Sequence, residues 1–271
     1  MAWRLSMQPP QYDNIIPAAS FAGVGVQIAP VRPYLRRWVQ CLWVAYDTNR
    51  NETFHHEKLY PDAGSSLTFE ISPHGAQVAF FYHASVCTQR WDLHKRYISV
   101  RLRAGAGAAL FGIRVESTGN QKLSIPMTSA LARLLSQLPE ASAAVQLRLI
   151  EGWLEGVCKH AGNVHDKWSK LLTTAFTSLI PPQQLAAQQG MSRRTLERQL
   201  RNRFGFSPNQ LYGFAQLRHA RTQLITTQAE LSDIALRCGF YDQAHFTNSF
   251  HERALETPGQ YRTRKLSQIS N

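Results

Sequence analysis

Long apolar runs are missing from this 271-residue sequence. The longest charge-free apolar stretch, residues 104–113, falls short of the roughly 18 residues a membrane-spanning helix needs, so no membrane partner is expected. The first ten residues hold one Arg and no apolar segment of the secretory-signal kind. Cysteine is scarce. Cys41, Cys87, Cys158 and Cys238 stand far apart with no C-x-x-C pair, which argues against a disulfide framework or a zinc knuckle and suits free thiols in a reducing cytoplasm. Catalytic signatures are also lacking. Gly23-Val24-Gly25 has no third glycine at dinucleotide-loop spacing, and Gly105-Ala106-Gly107 has no Gly-Lys-Ser/Thr ending, so both read as tight turns. Neither G-x-S-x-G nor H-E-x-x-H occurs, and no catalytic residue or cofactor is expected. His55-His56-Glu57 with His74, His83 or His94 offers the raw material of a metal site, but H-x-H spacing is missing and none is expected.

Acidic residues are the other shortage: 18 Asp and Glu stand against 30 Lys and Arg, for a net charge of +12. Split at Pro181, the first part has 18 basic and 12 acidic residues and the second has 12 and 6. The second part is half as long, so its positive density is about doubled. Eleven of its basic residues are Arg, the side chain suited to phosphates and guanine edges. A polyanion is the natural partner, with an inert basic surface equally open on charge alone.

Residues 22–29, 38–46, 65–71, 77–86 and 96–103 are rich in Val, Ile, Phe, Tyr and Trp and are separated by turn-forming clusters. In the last of them Ile98, Val100 and Leu102 share one face. Several short strands at this spacing suggest a small antiparallel barrel or sandwich. After Pro126 the period becomes helical, in stripes through Leu131 and Leu138, through Val145 and Val157, and through Trp168 and Leu179. Pro181-Pro182 then punctuates the chain.

Past it lies an internal repeat. Leu185-Ala186, Gly190, Leu196, Leu200 and Pro208 recur as Ile234-Ala235, Gly239, Phe246, Phe250 and Pro258, displaced by 49 residues up to the glycine and by 50 after it, with Tyr241 the extra turn residue. Each copy reads as a short helix, a glycine turn and a second helix opened by an N-cap, Ser192 or Asp242. That is a helix-turn-helix, whose second helix offers its first residues to base edges in a major groove. The first copy exposes Arg193, Arg194, Thr195, Glu197, Arg198, Arg201 and Arg203. The second exposes Gln243, Ala244, Thr247, Asn248 and His251, polar but nearly uncharged; Gln and Asn suit adenine. Leu211, Phe214, Leu217 and Leu224 mark a long helix joining the copies.

The run Ser232-Asp233-Ile234-Ala235-Leu236-Arg237-Cys238-Gly239-Phe240-Tyr241-Asp242-Gln243-Ala244-His245-Phe246, then Phe250 and Thr257-Pro258-Gly259-Gln260-Tyr261-Arg262, resembles the signature of the AraC/XylS family of bacterial transcriptional regulators. The first copy, through Ser207-Pro208, fits the same family's first helix-turn-helix. The resemblance implies a seven-helix DNA-binding domain whose recognition helices enter successive major grooves of double-stranded DNA. By position, Arg194, Glu197 and Arg198, and Gln243, Ala244 and Asn248, match the base-reading residues; Arg193 falls where a backbone contact is made. Ser192, Thr195, Arg201 and Thr247 complete the expected DNA-binding set. Asn248 departs from the common Arg, His251 from Lys or Arg, and Leu255 from the usual Gly, so the second unit is expected to bind DNA weakly.

The amino-terminal half resembles the barrel-like domain of some AraC-type regulators through residues 33–43, 59–64 and 100–105. The fold class expected is therefore α+β. Residues 1–125 form a cupin-like β-barrel for effector binding, residues 126–180 a helical dimerisation or linker segment, and residues 181–271 an all-α domain of two helix-turn-helix units. The function implied is sequence-specific transcription regulation in the cytoplasm, with RNA polymerase, a homodimer partner and a small-molecule effector as companions. Some of Trp43, Tyr46, Phe69, Phe81 and Tyr82 are expected to line the effector pocket, with a filled core used only for dimerisation as the alternative. The competing class is an enzyme with a metal-dependent cupin-like barrel and an appended DNA-binding domain.

Overall fold

A computed structural model of the chain describes residues 24–47, 53–116, 119–161 and 166–270. Its first half is built on the strands β1 (Val24–Ala29), β2 (Val39–Asp47), β3 (Phe54–Leu59), β4 (Ser65–Ser72), β5 (Gly75–Tyr82), β6 (Cys87–Asp92), β7 (Arg96–Leu102) and β8 (Gln121–Leu123). Six of them pair antiparallel in the order β1-β2-β7-β4-β5-β8, and β3 pairs with β6 in a separate ribbon. The expected barrel thus takes the form of two sheets. β1 and β8 are the edges of the larger one.

Alternation assigns the two faces. Leu42 on β2, Leu67 and Phe69 on β4, Phe80 and Tyr82 on β5 and Ile98, Val100 and Leu102 on β7 are all buried on one face. The helices α1 (Ala106–Phe111), α2 (Ser129–Gln137) and α3 (Ala143–His160) supply that core with Ala106, Leu131, Leu134, Ile150 and Leu154. Residues between these, Trp43, Ala45 and Tyr97, point the other way and pack with Trp91 and Leu59 of the ribbon. Trp91 meets Trp43 and Tyr97 edge-on at centroid distances of 5.5 and 4.8 Å, a favoured aromatic geometry.

Gly105-Ala106-Gly107 is not a simple turn. Gly105, at φ 79°, caps α1, and a Cβ there would stand 2.6 Å from Phe204; Gly107 lies inside α1, where a Cβ would stand 2.5 Å from Phe80. Both glycines allow close approach, and Gly105 does so between the two halves of the molecule.

The second half is helical: α4 (Asp166–Thr177), α5 (Pro182–Gln188), α6 (Arg193–Phe204), α7 (Pro208–Thr226), α8 (Leu231–Arg237), α9 (Gln243–Ala254) and α10 (Pro258–Ser270). A break at Pro181 separates α4 from α5 in sequence but not in space. Leu171, Leu172 and Ala175 of α4 share one apolar cluster with Leu185, Leu196, Leu200, Phe204, Leu211 and Phe214. The stripe of α4, expected to belong to a dimerisation or linker segment, thus packs into the first unit's core. The long helix α7 is the shaft of this body. Ser207 and Gln210 open it with a reciprocal capping box, and its buried Leu211, Phe214, Leu217 and Leu224 serve the clusters on both sides.

Candidate nucleic-acid interface

In each unit a short helix ends in a left-handed glycine, Gly190 at φ 62° and Gly239 at φ 74°. The second turn is the more crowded. A Cβ on Gly239 would overlap the Tyr212 hydroxyl, and Gln216 of α7 donates through Nε2 to the carbonyls of Cys238 and Gly239 at 3.3 and 3.0 Å. That amide satisfies carbonyls left without helical partners.

The recognition helices are capped as expected. Ser192 Oγ accepts from the Thr195 N–H at 3.2 Å, and Asp242 Oδ1 accepts from the His245 N–H at 2.7 Å. Leu196, Leu200 and Phe204 on α6, and Phe246 and Phe250 on α9, are buried. The opposite faces are left to solvent.

On α6, Ser192, Arg193, Arg194, Arg198 and Arg201 are exposed, and Thr195 and Glu197 are half-buried. Their engagements differ. Arg201 pairs with Glu197 at 2.6 Å, and Arg193 donates to Asn209 Oδ1 at 3.1 Å. Arg203 turns aside, donating to Gln199 at 3.1 Å and lying 5.2 Å from the centre of the Trp168 ring. Arg194 and Arg198 remain on the solvent face of the first turns, without an ion pair among the described residues. On α9, Gln243, Ala244 and Asn248 are exposed and Thr247 is half-buried. His245 is bound into the turn: its Nδ1 accepts from the Tyr241 N–H at 3.3 Å, and its ring meets Phe240 edge-on at 5.5 Å.

Residues 185–264 match the helix-turn-helix domain family, and residues 27–124 match a domain of unknown function, DUF6597. The transcriptional activator RhaS of Shigella boydii serotype 18 is 38% identical over 78 residues, 29% of this chain and 28% of that protein. Residues 185–264 are an AraC-type helix-turn-helix domain. The activator RhaR of Klebsiella pneumoniae is 34% identical over 98 residues, 35% of each chain. The chain thus spans about a third of the length of the curated relatives it matches. Among solved structures, the DNA-binding domain of AdpA in complex with a target DNA is 25% identical, covering 38% of this chain and 96% of that one at a TM-score of 0.35. ToxT from Vibrio cholerae O395 is 13% identical, covering 78% and 97% at a TM-score of 0.40.

Sequence reasoning missed how this AraC-type domain is tied together. Arg262 of α10 donates to the carbonyls of Leu224 and Ala229 at 3.2 and 2.7 Å, closing the end of α7. Arg253 of α9 lies against Gly213 of α7, where a Cβ would meet its guanidinium at 3.0 Å. Arg262 stands in the motif that carried the resemblance, so its signal was present; its structural task was not legible.

The aromatic residues of which some were expected to line an effector pocket fall on both faces of the sheet, as alternation requires. Phe69 and Tyr82 lie on the helix-covered face, Phe69 edge-on to Trp153 at 6.0 Å, while Trp43 faces the ribbon and Phe81 carries Lys122 5.6 Å from its ring centre. The Tyr46 side chain lies outside the described residues. Strand alternation forbids one pocket for all of them. A narrow cleft of about 30 Å³ lies at the junction of the halves, lined by Gln40, Asp62, Arg103, Leu172, Phe176 and Arg218. Of the histidines, His56, His74 and His94 are exposed and His83 is buried; the side chains of His55 and Glu57 lie outside the described residues. No helix among the described residues is long and apolar enough to cross a membrane.

Proposed function

We propose that this chain is a sequence-specific DNA-binding transcriptional regulator of the AraC/XylS type. The supporting observation is the pair Arg194 and Arg198 on the solvent face of a capped, buried-backed helix. There they can reach guanine edges bidentately. Glu197, Gln243, Ala244 and Asn248 complete the base-reading set, with Ser192, Arg193, Thr195, Arg201 and Thr247 toward the backbone. Double-stranded DNA is the first partner. The activators RhaS and RhaR support RNA polymerase as a second, and a homodimer in the cytoplasm completes the reading. The chain carries out no catalysis in this reading. A small-molecule effector bound by the strand half is a further companion in this reading.

The test is selection from a random duplex library with the full chain, followed by titration of the enriched duplex between about 50 and 200 mM salt. Each phosphate neutralised adds about −0.9 to the log–log slope. Enrichment with a steep slope is expected; no enriched sequence would overturn the reading.

A further inference from the structure

The strand half reaches the carboxyl-terminal ends of both recognition helices. At α6, Phe204 packs over Gly105, a Cβ on Gly205 would overlap the Val115 carbonyl, and Arg114 donates to the Asn202 carbonyl at 3.5 Å. At α9 the contact is polar and nearly buried. Tyr60 donates its hydroxyl to Glu256 Oε1 at 2.7 Å and accepts from Arg264 at 2.8 Å. Lys58 donates to the same carboxylate at 3.2 Å and to the Ala254 carbonyl at 3.4 Å, closing the last turn of α9. Arg264 grips both oxygens of Glu256, at 3.0 and 2.7 Å, the bidentate geometry that fixes orientation as well as distance.

The Tyr60 ring is part of the same fastening. Arg221 of α7 stacks 3.6 Å from its centre, and Tyr261 of α10 meets it edge-on at 5.8 Å. Tyr60 and Val86 belong to the apolar cluster of Phe246, Phe250 and Tyr261. The sheet half thus supplies two core residues to the second unit. Beside this cluster, Leu255 holds a left-handed backbone at φ 54°, a conformation that persists in a non-glycine residue only where its surroundings enforce it. Burial would raise the Glu256 carboxyl, but Arg264, Tyr60 and Lys58 hold it down at about 2, so the anchor stays ionised across ordinary pH.

We propose that Lys58 and Tyr60 are positioning residues for the second recognition helix, holding α9 through Glu256 so that the sheet half sets the spacing between α6 and α9. This rests on the DNA-binding reading above. Two helices that enter successive grooves must match the duplex repeat. The shaft α7 joins them, and a second attachment at each far end fixes their relative rotation. A cluster that only stabilised the fold would lower affinity for every duplex alike.

The test uses the full chain, wild type and the variants Tyr60→Phe, Lys58→Met and Glu256→Gln, on the library-selected duplex and on derivatives with one to five base pairs inserted between the two sub-sites. Wild type should lose about tenfold or more in affinity with two inserted pairs, and the variants less than about threefold, because a loosened α9 follows its sub-site. Amide exchange should quicken in α9 of the variants and stay unchanged in α6. Tyr60→Phe keeps the ring in the core, so it carries the test if Glu256→Gln fails to fold. A folded variant with the wild-type spacer profile, or with wild-type exchange in α9, overturns the inference and leaves the DNA-binding reading intact. Failure of wild type to select any duplex overturns that reading, while the exchange measurement still decides the positioning contact.

Discussion

The two helix-turn-helix units repeat one core and part company at the surface. Leu196, Leu200 and Phe204 find their counterparts in Phe246, Phe250 and Ala254, all buried. The exposed turns share no such likeness: Arg194 and Arg198 stand on one, Gln243 and Asn248 on the other. Support differs as well. The first core is completed by α4 and by Ala63, the second by Tyr60 and Val86. The repeat keeps the spacing that folds a unit and varies the residues on the exposed face. In the reading proposed above, the first unit supplies charge and the second supplies amide groups that discriminate with little attraction.

If the cores are equivalent, comparable damage should follow from truncation at matching positions. Leu200→Ala and Phe250→Ala, one pair of counterparts, should cost about 2–5 and about 3–5 kcal/mol of stability, the ranges for a buried leucine and a buried aromatic reduced to alanine. Denaturant unfolding of the full chain measures both. A loss confined to one of them would show that the repeat is a likeness of sequence without equal structural weight.

Acid should separate the sheet half from the helices it holds. Burial lowers the His83 imidazole from 6.5 to about 4. The unfolded chain then binds the proton more readily, so this contribution is present above pH 6.5 and is lost as pH falls toward 4, on the order of 3 kcal/mol in full. Glu256, held at about 2 against an ordinary 4.5, contributes above pH 4.5 and loses its effect only below that. Protection of the β5 amides, taken relative to the intrinsic exchange rate at each pH, should therefore fall between pH 6 and 4, ahead of α9. His83→Gln should remove the upper step; an unchanged profile in that variant would assign the loss elsewhere.

The helical half was legible because its signals are local. A small residue, a glycine, a cap and an apolar pair at fixed spacing recur, and each maps onto a turn or helix that the structure contains. The strands with apolar alternation were legible for the same reason, Ile98, Val100 and Leu102 among them. The ribbon was not. Phe54–Leu59 and Cys87–Asp92 carry His, Glu, Lys, Gln and Arg at positions where a half-buried strand would alternate, and β3 borrows its burial from partners distant in sequence. The set expected to face DNA was drawn from caps and positions read as exposed, and it falls on exposed or half-buried sites. Lys58, Tyr60 and Glu256 were missed because 196 residues separate Tyr60 from Glu256, and no pattern within a window of sequence points to such a contact.

The surface difference itself should appear as unequal binding losses. Arg194→Ala or Arg198→Ala should each cost about 1–3 kcal/mol on the selected duplex and relax specificity at one sub-site. Asn248→Ala should cost less, because it removes no charge-assisted contact. The salt slope should stay unchanged for Asn248→Ala and flatten by about 0.9 for an Arg that meets a phosphate. Equal losses at Arg198 and Asn248 would erase the proposed division of labour.

The smallest effect concerns the residue that ends each recognition helix. Gly205 closes α6 at φ 78°, and Leu255 closes α9 at φ 54°. Glycine adopts this region without strain, whereas a side chain there costs roughly 1–2 kcal/mol. Leu255 is 63% exposed, so its removal sacrifices little packing. Against the relief stands the added flexibility of glycine in the unfolded chain, roughly 0.5–1 kcal/mol. Leu255→Gly should therefore stabilise the chain by about 0.5–1 kcal/mol, read as a rise in the thermal midpoint. Gly205→Leu is the reciprocal change and should be strongly destabilising, since the Val115 carbonyl occupies the space its Cβ needs. If Leu255→Gly is destabilising, the leucine is held for a contact that its exposure conceals, and the two helix ends are less alike than their backbones.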